Sequence, residues 1–235
     1  MIRQSASSVD NLLGRSAHMA ELDLSAWEAR CAAFLRERAS GDAAHDHEHT
    51  RRVVANARAL AAEEGAALAV VLPAAWLHDC VTVPKDSPRR ALASRLAAEE
   101  AGCFLRDSGY PRELVPAVVH AIAAHSFTAG IAPETPEARV VQDADRLDAL
   151  GAVGIARCLM LGATMGRPLY DPREPFPITR PPDDASASID HFYTKLLGLA
   201  ATMTTPAGRA EAERRTALMR QFLSELGREI GVAAP

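Results

Sequence analysis

An all-α fold is predicted by three features of this 235-residue chain: aromatic residues are only 5% of it, alanine recurs throughout, and apolar residues return every three or four positions rather than every second one. Hydrophobic residues make up 48% and charged residues 24%, which suffices for a real core and excludes disorder as the main state. Residues 1–22 carry little pattern and read as a tail, mobile or added upstream, with Met19 as another start. Residues 23–235 read as one domain.

The elements follow in order. Ser25 and Glu28 form a capping-box pattern that predicts a helix to about Arg38, broken by Gly41-Asp42. A second helix is predicted over 47–64, with Val53, Val54, Ala57, Leu60 and Ala61 as its buried stripe and Gly65 as its stop. The third, 68–79, is apolar on nearly every side and therefore central; it ends in His78-Asp79. Ser87-Pro88 and Pro111 open two more helices, the second carrying His120 and His125, and Thr135-Pro136 opens one through Asp145 and Asp148. Another is predicted over 154–161. Six prolines within 165–185 exclude a helix or inner strand there and predict a long surface loop, of the kind that serves as a lid or specificity element. Helices over 188–203 and 206–230 close the chain.

Composition narrows the function. Lys and Arg total 26 against 30 Asp and Glu, a net charge of −4 with no long basic run, which argues against stable nucleic-acid binding. The longest apolar run, 66–77, contains Pro73 and is too short for a bilayer span, and the N-terminus has no signal-like apolar stretch, so a cytoplasmic protein without a membrane partner is expected. Cys31, Cys80, Cys103 and Cys158 fit neither a CxxC pair nor a disulfide scaffold and read as small core residues.

Histidine and aspartate collect at a few places: His45 to His49, His78-Asp79, His120 and His125, and Asp143, Asp145 and Asp148. One histidine at a helix end is an ordinary core or capping residue. Several such clusters on helices around one core point to a metal, because buried imidazoles and carboxylates are costly unless paired or ligating. Mixed nitrogen and oxygen donors suit a divalent transition ion.

The sequence resembles the HD-domain metal-dependent phosphohydrolase superfamily, and within it a bacterial hydrolase subgroup. The resemblance rests on His49-Thr50-Arg51-Arg52-Val53, on Ala75-Trp76-Leu77-His78-Asp79, and on Asp143-Ala144-Asp145-Arg146-Leu147-Asp148, in that order. It extends through His125-Ser126-Phe127, the stretch 142–157 and the segment 191–197. It implies an all-α HD-domain helical bundle with His49, His78, Asp79 and Asp145 as metal ligands. Asp145 is chosen for its position in the ADRL element, with Asp143 as the alternative; Asp148 and whichever acid is not the ligand support or cap. Mn²⁺ is the first choice of ion, with Mg²⁺, Co²⁺, Ni²⁺, Fe²⁺ or Zn²⁺ as the others. His120 and His125 are five residues apart and do not share a helix face, so they are not expected to bind one second ion from one regular helix.

A metal-activated water attacking phosphorus is the implied chemistry. Asp79, His125 and Glu48 are the candidate catalytic residues, and His47 is a further proton carrier. Arg52, Arg146 and Lys195 are candidate phosphate ligands. The expected substrate is a small phosphorylated molecule, first a nucleoside triphosphate cut to monophosphate and pyrophosphate. A phosphomonoesterase, a metal-containing nucleotide-binding module and a di-iron oxidase are the rivals, and a homo-oligomer is compatible with all of them.

Overall fold

In this computed structural model the described residues are 22–38, 43–83, 87 and 89–233; they form nine α-helices and no strand. The helices are α1 (Leu24–Arg38), α2 (Ala43–Glu64), α3 (Leu68–Leu77), α4 (Ala93–Asp107), α5 (Val115–Ala124), α6 (Pro136–Leu147), α7 (Gly151–Thr164), α8 (Asp190–Thr194) and α9 (Pro206–Ile230). Of the predicted tail, only Leu22 lies among the described residues, and it packs against the core.

The most apolar helix is the central one. Every residue of α3 except Leu68 and Trp76 is buried, and α1, α2, α5 and α6 pack around it. Each buried valine or leucine contributes roughly 1.5–3 kcal/mol. Pro73 lacks the N–H that would bond the Ala69 carbonyl one turn back. The buried Tyr110 hydroxyl donates to that carbonyl instead. The helix is thereby held to the residue that follows α4 by three positions.

Local signals explain most of the boundaries. Gly65, at φ +67°, stops α2, and Gly231, at φ +73°, stops α9, as left-handed residues after a helix do. The Thr135 hydroxyl accepts from Ala138 N at 3.2 Å and caps α6, whose Glu137 accepts from Ala67 N at 3.1 Å and so caps α3 as well. Thr135→Ala is expected to cost about 1 kcal/mol, seen as a melting midpoint roughly 2–4 °C lower. An unchanged midpoint would mean that the cap holds nothing.

Several expectations are corrected. Asp23, not Ser25, caps α1, because the helix begins at Leu24 and Asp23 Oδ1 takes Ala26 N at 3.0 Å. Glu28 instead accepts from Trp76 Nε1 at 3.2 Å and Arg58 at 2.7 Å. A turn at 111–114 precedes α5, and a 3-10 turn, Arg90–Leu92, precedes α4, while Pro88 lies outside the described residues. Helix α7 starts three residues before Gly154. A Cβ on Gly154 would stand 2.2 Å from the Ala149 carbonyl oxygen, so glycine here serves close packing at the helix start. The predicted helix over 188–203 breaks at Lys195 (φ −140°, ψ −60°) into α8 and a 3-10 stretch, Leu196–Thr202. Contacts at both ends of this segment, Arg180 on Asp190 and Arg146 on the Thr202 carbonyl, override its local propensity. Cys103 is exposed on α4 rather than in the core, whereas Cys31 and Cys80 are buried.

The proline-rich segment is a loop, as expected, and it is fastened. Phe176 is 2% exposed and plugs into the core. Buried Asp190 accepts from Arg180 at 2.8 Å and from Asp183 N at 2.6 Å, while Ser188 N and Ile189 N donate to the Pro168 and Leu169 carbonyls. No single helix among the described residues is long and apolar enough to cross a membrane.

Candidate metal centre

Three histidines and two acids meet where α2, the end of α3, the end of α5 and the end of α6 come together. His78, the C-cap of α3, is completely buried, and its Nδ1 lies 2.9 Å from the Ala75 carbonyl. His125, the C-cap of α5, repeats the pattern with Nδ1 2.7 Å from the Ile122 carbonyl. His49, on α2, points Nδ1 at Asp148 Oδ2, 2.7 Å away. A carbonyl or carboxylate opposite Nδ1 fixes that nitrogen as the N–H donor, leaving Nε2 as a bare acceptor.

These Nε2 atoms converge. Those of His49 and His78 are 3.3 Å apart; Asp145 Oδ1 lies 3.3 Å from the first and 3.8 Å from the second, and Asp79 Oδ2 lies 3.6 Å from His78 Nε2. Ligand atoms of His49, His78 and Asp79 all fall within 4.8 Å of one another. Two acceptor nitrogens and two carboxylates facing one point need a positive charge between them. Metal–nitrogen bonds near 2.0–2.1 Å separate neighbouring ligands by roughly 3.0–3.4 Å, and the separations here run from 3.3 to 3.8 Å, close enough to draw in around an ion. Both the donor set and its spacing therefore fit a divalent ion.

The electrostatics point the same way. Burial acts to lower the His49 pKa, but hydrogen bonds to Asp145 and Asp148 outweigh it and raise the pKa to about 9, a measure of how strongly these two carboxylates favour positive charge at this place. Burial pushes the pKa of His78 down, toward the neutral form a metal needs. Burial acts to raise the pKa of Asp79, and His78 and His125 overcome this, holding the carboxyl well below its usual range.

Asp148 organises the outer side. Its side chain is 2% exposed and accepts from His49 on Oδ2, from Arg52 Nε on Oδ1 at 2.6 Å and Arg52 Nη2 on Oδ2 at 3.1 Å, and from Arg157 Nη1 on Oδ2. Burial raises its pKa, but these partners outweigh burial and bring it to about 2. Arg157 is the site residue that sequence reasoning did not single out, although it closes the stretch 142–157; only the fold brings it back onto Asp148.

The remaining candidates lie elsewhere. Asp143 is fully buried and caps the start of α9 through Thr204 and Thr205, which removes it from the ion. Glu48 is exposed, with Arg51 at 3.9 Å as its ion-pair partner, because one residue from His49 is about 100° around α2 and turns the side chain toward solvent. Arg146 is half-buried, donates to the Thr202 carbonyl and lies within electrostatic reach of Asp143 and Asp145, whereas Lys195 is exposed where α8 breaks. His120 Nε2 accepts from Glu134 N at 3.1 Å, away from the cluster. His47 is half-buried without a described contact to the cluster, and the side chains of His45 and Asp46 lie outside the described residues. Cys80 Sγ donates to the Ala97 carbonyl at 3.4 Å and is turned from the site.

Residues 47–150, which span the whole cluster, match the family model of the HD domain. The chain is 34% identical over 201 residues to the uncharacterized protein YpgQ of Bacillus subtilis, covering 84% of this chain and 88% of that protein. Among solved structures it is similar to an HD-superfamily hydrolase from Bacillus thuringiensis, with 35% identity, a TM-score of 0.67, and 87% of this chain and 94% of that one covered. It is also similar to B. subtilis YpgQ in complex with ADP, with 33% identity, a TM-score of 0.63, and 86% and 96% covered. The all-α bundle, the His-Asp cluster at its helix ends and these likenesses together establish that the chain belongs to the HD-domain superfamily.

Proposed function

We propose that this HD-superfamily protein is a metal-dependent phosphohydrolase acting on a nucleotide, with a nucleoside triphosphate cut to monophosphate and pyrophosphate as the first-choice reaction. The observation that carries this reading is the pair of bare Nε2 atoms of His49 and His78, 3.3 Å apart and flanked by Asp79 and Asp145. Those four residues would hold the ion, and Mn²⁺ suits their mixed donors. Bound there, a divalent ion lowers the pKa of its water and draws charge from a phosphoryl oxygen.

The chain's own groups do the rest. Asp148 fixes the His49 ring, and the Ala75 carbonyl fixes that of His78, so both nitrogens are oriented before an ion arrives. His125 presents Nε2 3.6 Å from Asp79 Oδ1, where it can hold a proton for the leaving oxygen. Arg52 stands at the edge of the site, about one-third exposed, with part of its fork free for a phosphate. Glu48 faces solvent and does not enter this reading, and the Arg146 guanidinium is engaged on the Thr202 carbonyl. The nucleotide is favoured because the similar YpgQ has been crystallised with ADP.

The test is to strip the metal and reload the protein separately with Mn²⁺, Mg²⁺, Co²⁺, Ni²⁺ and Zn²⁺. Nucleoside tri-, di- and monophosphates are then assayed with phosphate and pyrophosphate resolved. Metal-dependent pyrophosphate release from triphosphates is the expected result. Phosphate released only from monophosphates would make the protein a phosphomonoesterase, and saturable nucleotide binding without turnover on any metal would make it a binding module.

A further inference from the structure

We propose that Arg157 and Arg52 form a two-armed phosphate clamp over Asp148, with Arg157 as the arm that distinguishes a phosphorylated ligand from its nucleoside. This inference rests on the nucleotide reading above and deepens it.

Asp148 is a single, almost completely buried carboxylate, yet both guanidinium groups reach it: Arg52 through two hydrogen bonds of 2.6 and 3.1 Å, and Arg157 through Nη1, which also lies 3.3 Å from the Asp148 backbone carbonyl. His49 uses the same Oδ2 atom, so one oxygen serves three donors. A structural ion pair matches one cation to one anion. Here two guanidinium groups converge on one carboxylate, which leaves N–H donors in surplus beside the cluster.

Exposure and geometry give that surplus a direction. The side chains of Arg52 and Arg157 are 35% and 48% exposed, against 2% for Asp148, so each arm is anchored at a buried point and opens toward solvent. Nε and Nη2 of Arg157 have no partner among the described residues, and neither does Nη1 of Arg52. Planar N–H groups held by one edge and free at the other are pre-organised to fork the oxygens of a second anion. Because His49 binds the same carboxylate, that anion would lie next to the ion held by His49, where a phosphate chain runs if its reacting phosphorus is at the metal. Anchoring both side chains in advance also reduces the rotamer entropy lost when the ligand arrives.

The experiment is calorimetric titration of ADP, and of adenosine as the phosphate-free control, into Mn²⁺-saturated wild-type, Arg157→Gln and Arg157→Lys proteins. Mn²⁺ affinity is measured separately without nucleotide. Arg157→Gln is expected to weaken ADP binding about ten- to hundredfold, as loss of charged hydrogen bonds does. Arg157→Lys should recover part of that, with adenosine binding unmoved and Mn²⁺ affinity within about threefold, since Arg52 still holds Asp148 and Asp148 still holds His49. Should the glutamine variant fail to fold, the lysine variant carries the test alone, because it keeps the charge on Asp148 and loses the fork. Unchanged ADP affinity would overturn the clamp. So would a loss of ADP binding that only follows an equal loss of Mn²⁺ affinity, which would make Arg157 a positioning residue for Asp148 and His49. Wild-type protein that binds no ADP would remove the nucleotide reading and the clamp together, a result distinct from binding that is intact in wild type and in both variants.

Discussion

Asp79→Ala is expected to abolish both stoichiometric metal binding and hydrolysis, lowering turnover by about a thousandfold or more, the equivalent of several kcal/mol of transition-state stabilisation. Asp79 bridges the cluster, with Oδ2 3.6 Å from His78 Nε2 and Oδ1 3.6 Å from His125 Nε2. Its removal takes an anionic donor from the ion and the counter-charge from His125 in one step. Because its side chain is 57% exposed, the fold does not rest on it, and the metal-free variant should melt close to the metal-free wild type. Asp79→Asn keeps the shape and loses the charge, and is expected to fail in the same way. Metal content and turnover measured on the same samples decide the matter: full values for both in Asp79→Ala would remove this residue from the ligand set.

Asp143→Ala should do the opposite, with a loss of about 3–5 kcal/mol of stability for the metal-free protein. Its carboxylate is fully buried and accepts from Thr204 N at 3.0 and 3.1 Å, Thr204 Oγ1 at 3.0 Å, Thr205 N at 2.8 Å and Thr205 Oγ1 at 2.8 Å. Thr205 in turn caps α9 by accepting from Gly208 N at 3.0 Å. A Cβ on Gly208 would stand 2.5 Å from Asp143 Oδ2, a measure of how closely α9 approaches the acid. Alanine would leave two backbone N–H groups without an acceptor and loosen the longest helix. Asp145→Asn, two residues along and 29% exposed, should leave denaturant unfolding of the metal-free protein nearly unchanged while weakening the metal. A cost below about 1 kcal/mol for Asp143→Ala would refute the capping role, on the scale of an ordinary lost hydrogen bond.

The contrast between these acids shows where sequence reading succeeds. Helices α6 and α9 are announced by Thr-Pro at their first turns, and His78-Asp79 stands out because a polar pair ends the most apolar segment. Those signals are local. By contrast, the fork of Arg157 on Asp148 depends on the bend between α6 and α7, and the target of Asp143 lies 61 residues away at Thr204. The break at Lys195 is imposed by contacts at both ends of a stretch whose own pattern is helical. The proline count foretells a loop, but whether a loop swings or is pinned depends on Phe176 and the Arg180–Asp190 pair, whose burial no local pattern reveals.

The anchoring of the histidine rings bears on the order in which the chain assembles. His78 and His125 are aimed by carbonyls three residues back in their own chain, so each ring is set as soon as its helix forms. His49 is aimed by Asp148, 99 residues further on, and only after α2 has docked against α6. A partly assembled chain therefore offers an ion half a chelate, and the completed one offers the whole. An ion that binds only the completed chain shifts the folding equilibrium toward it, by about 2.7 kcal/mol at a hundred times its dissociation constant. The cluster thus acts as a check on assembly, reporting that the first third of the described chain has met the residues beyond the middle.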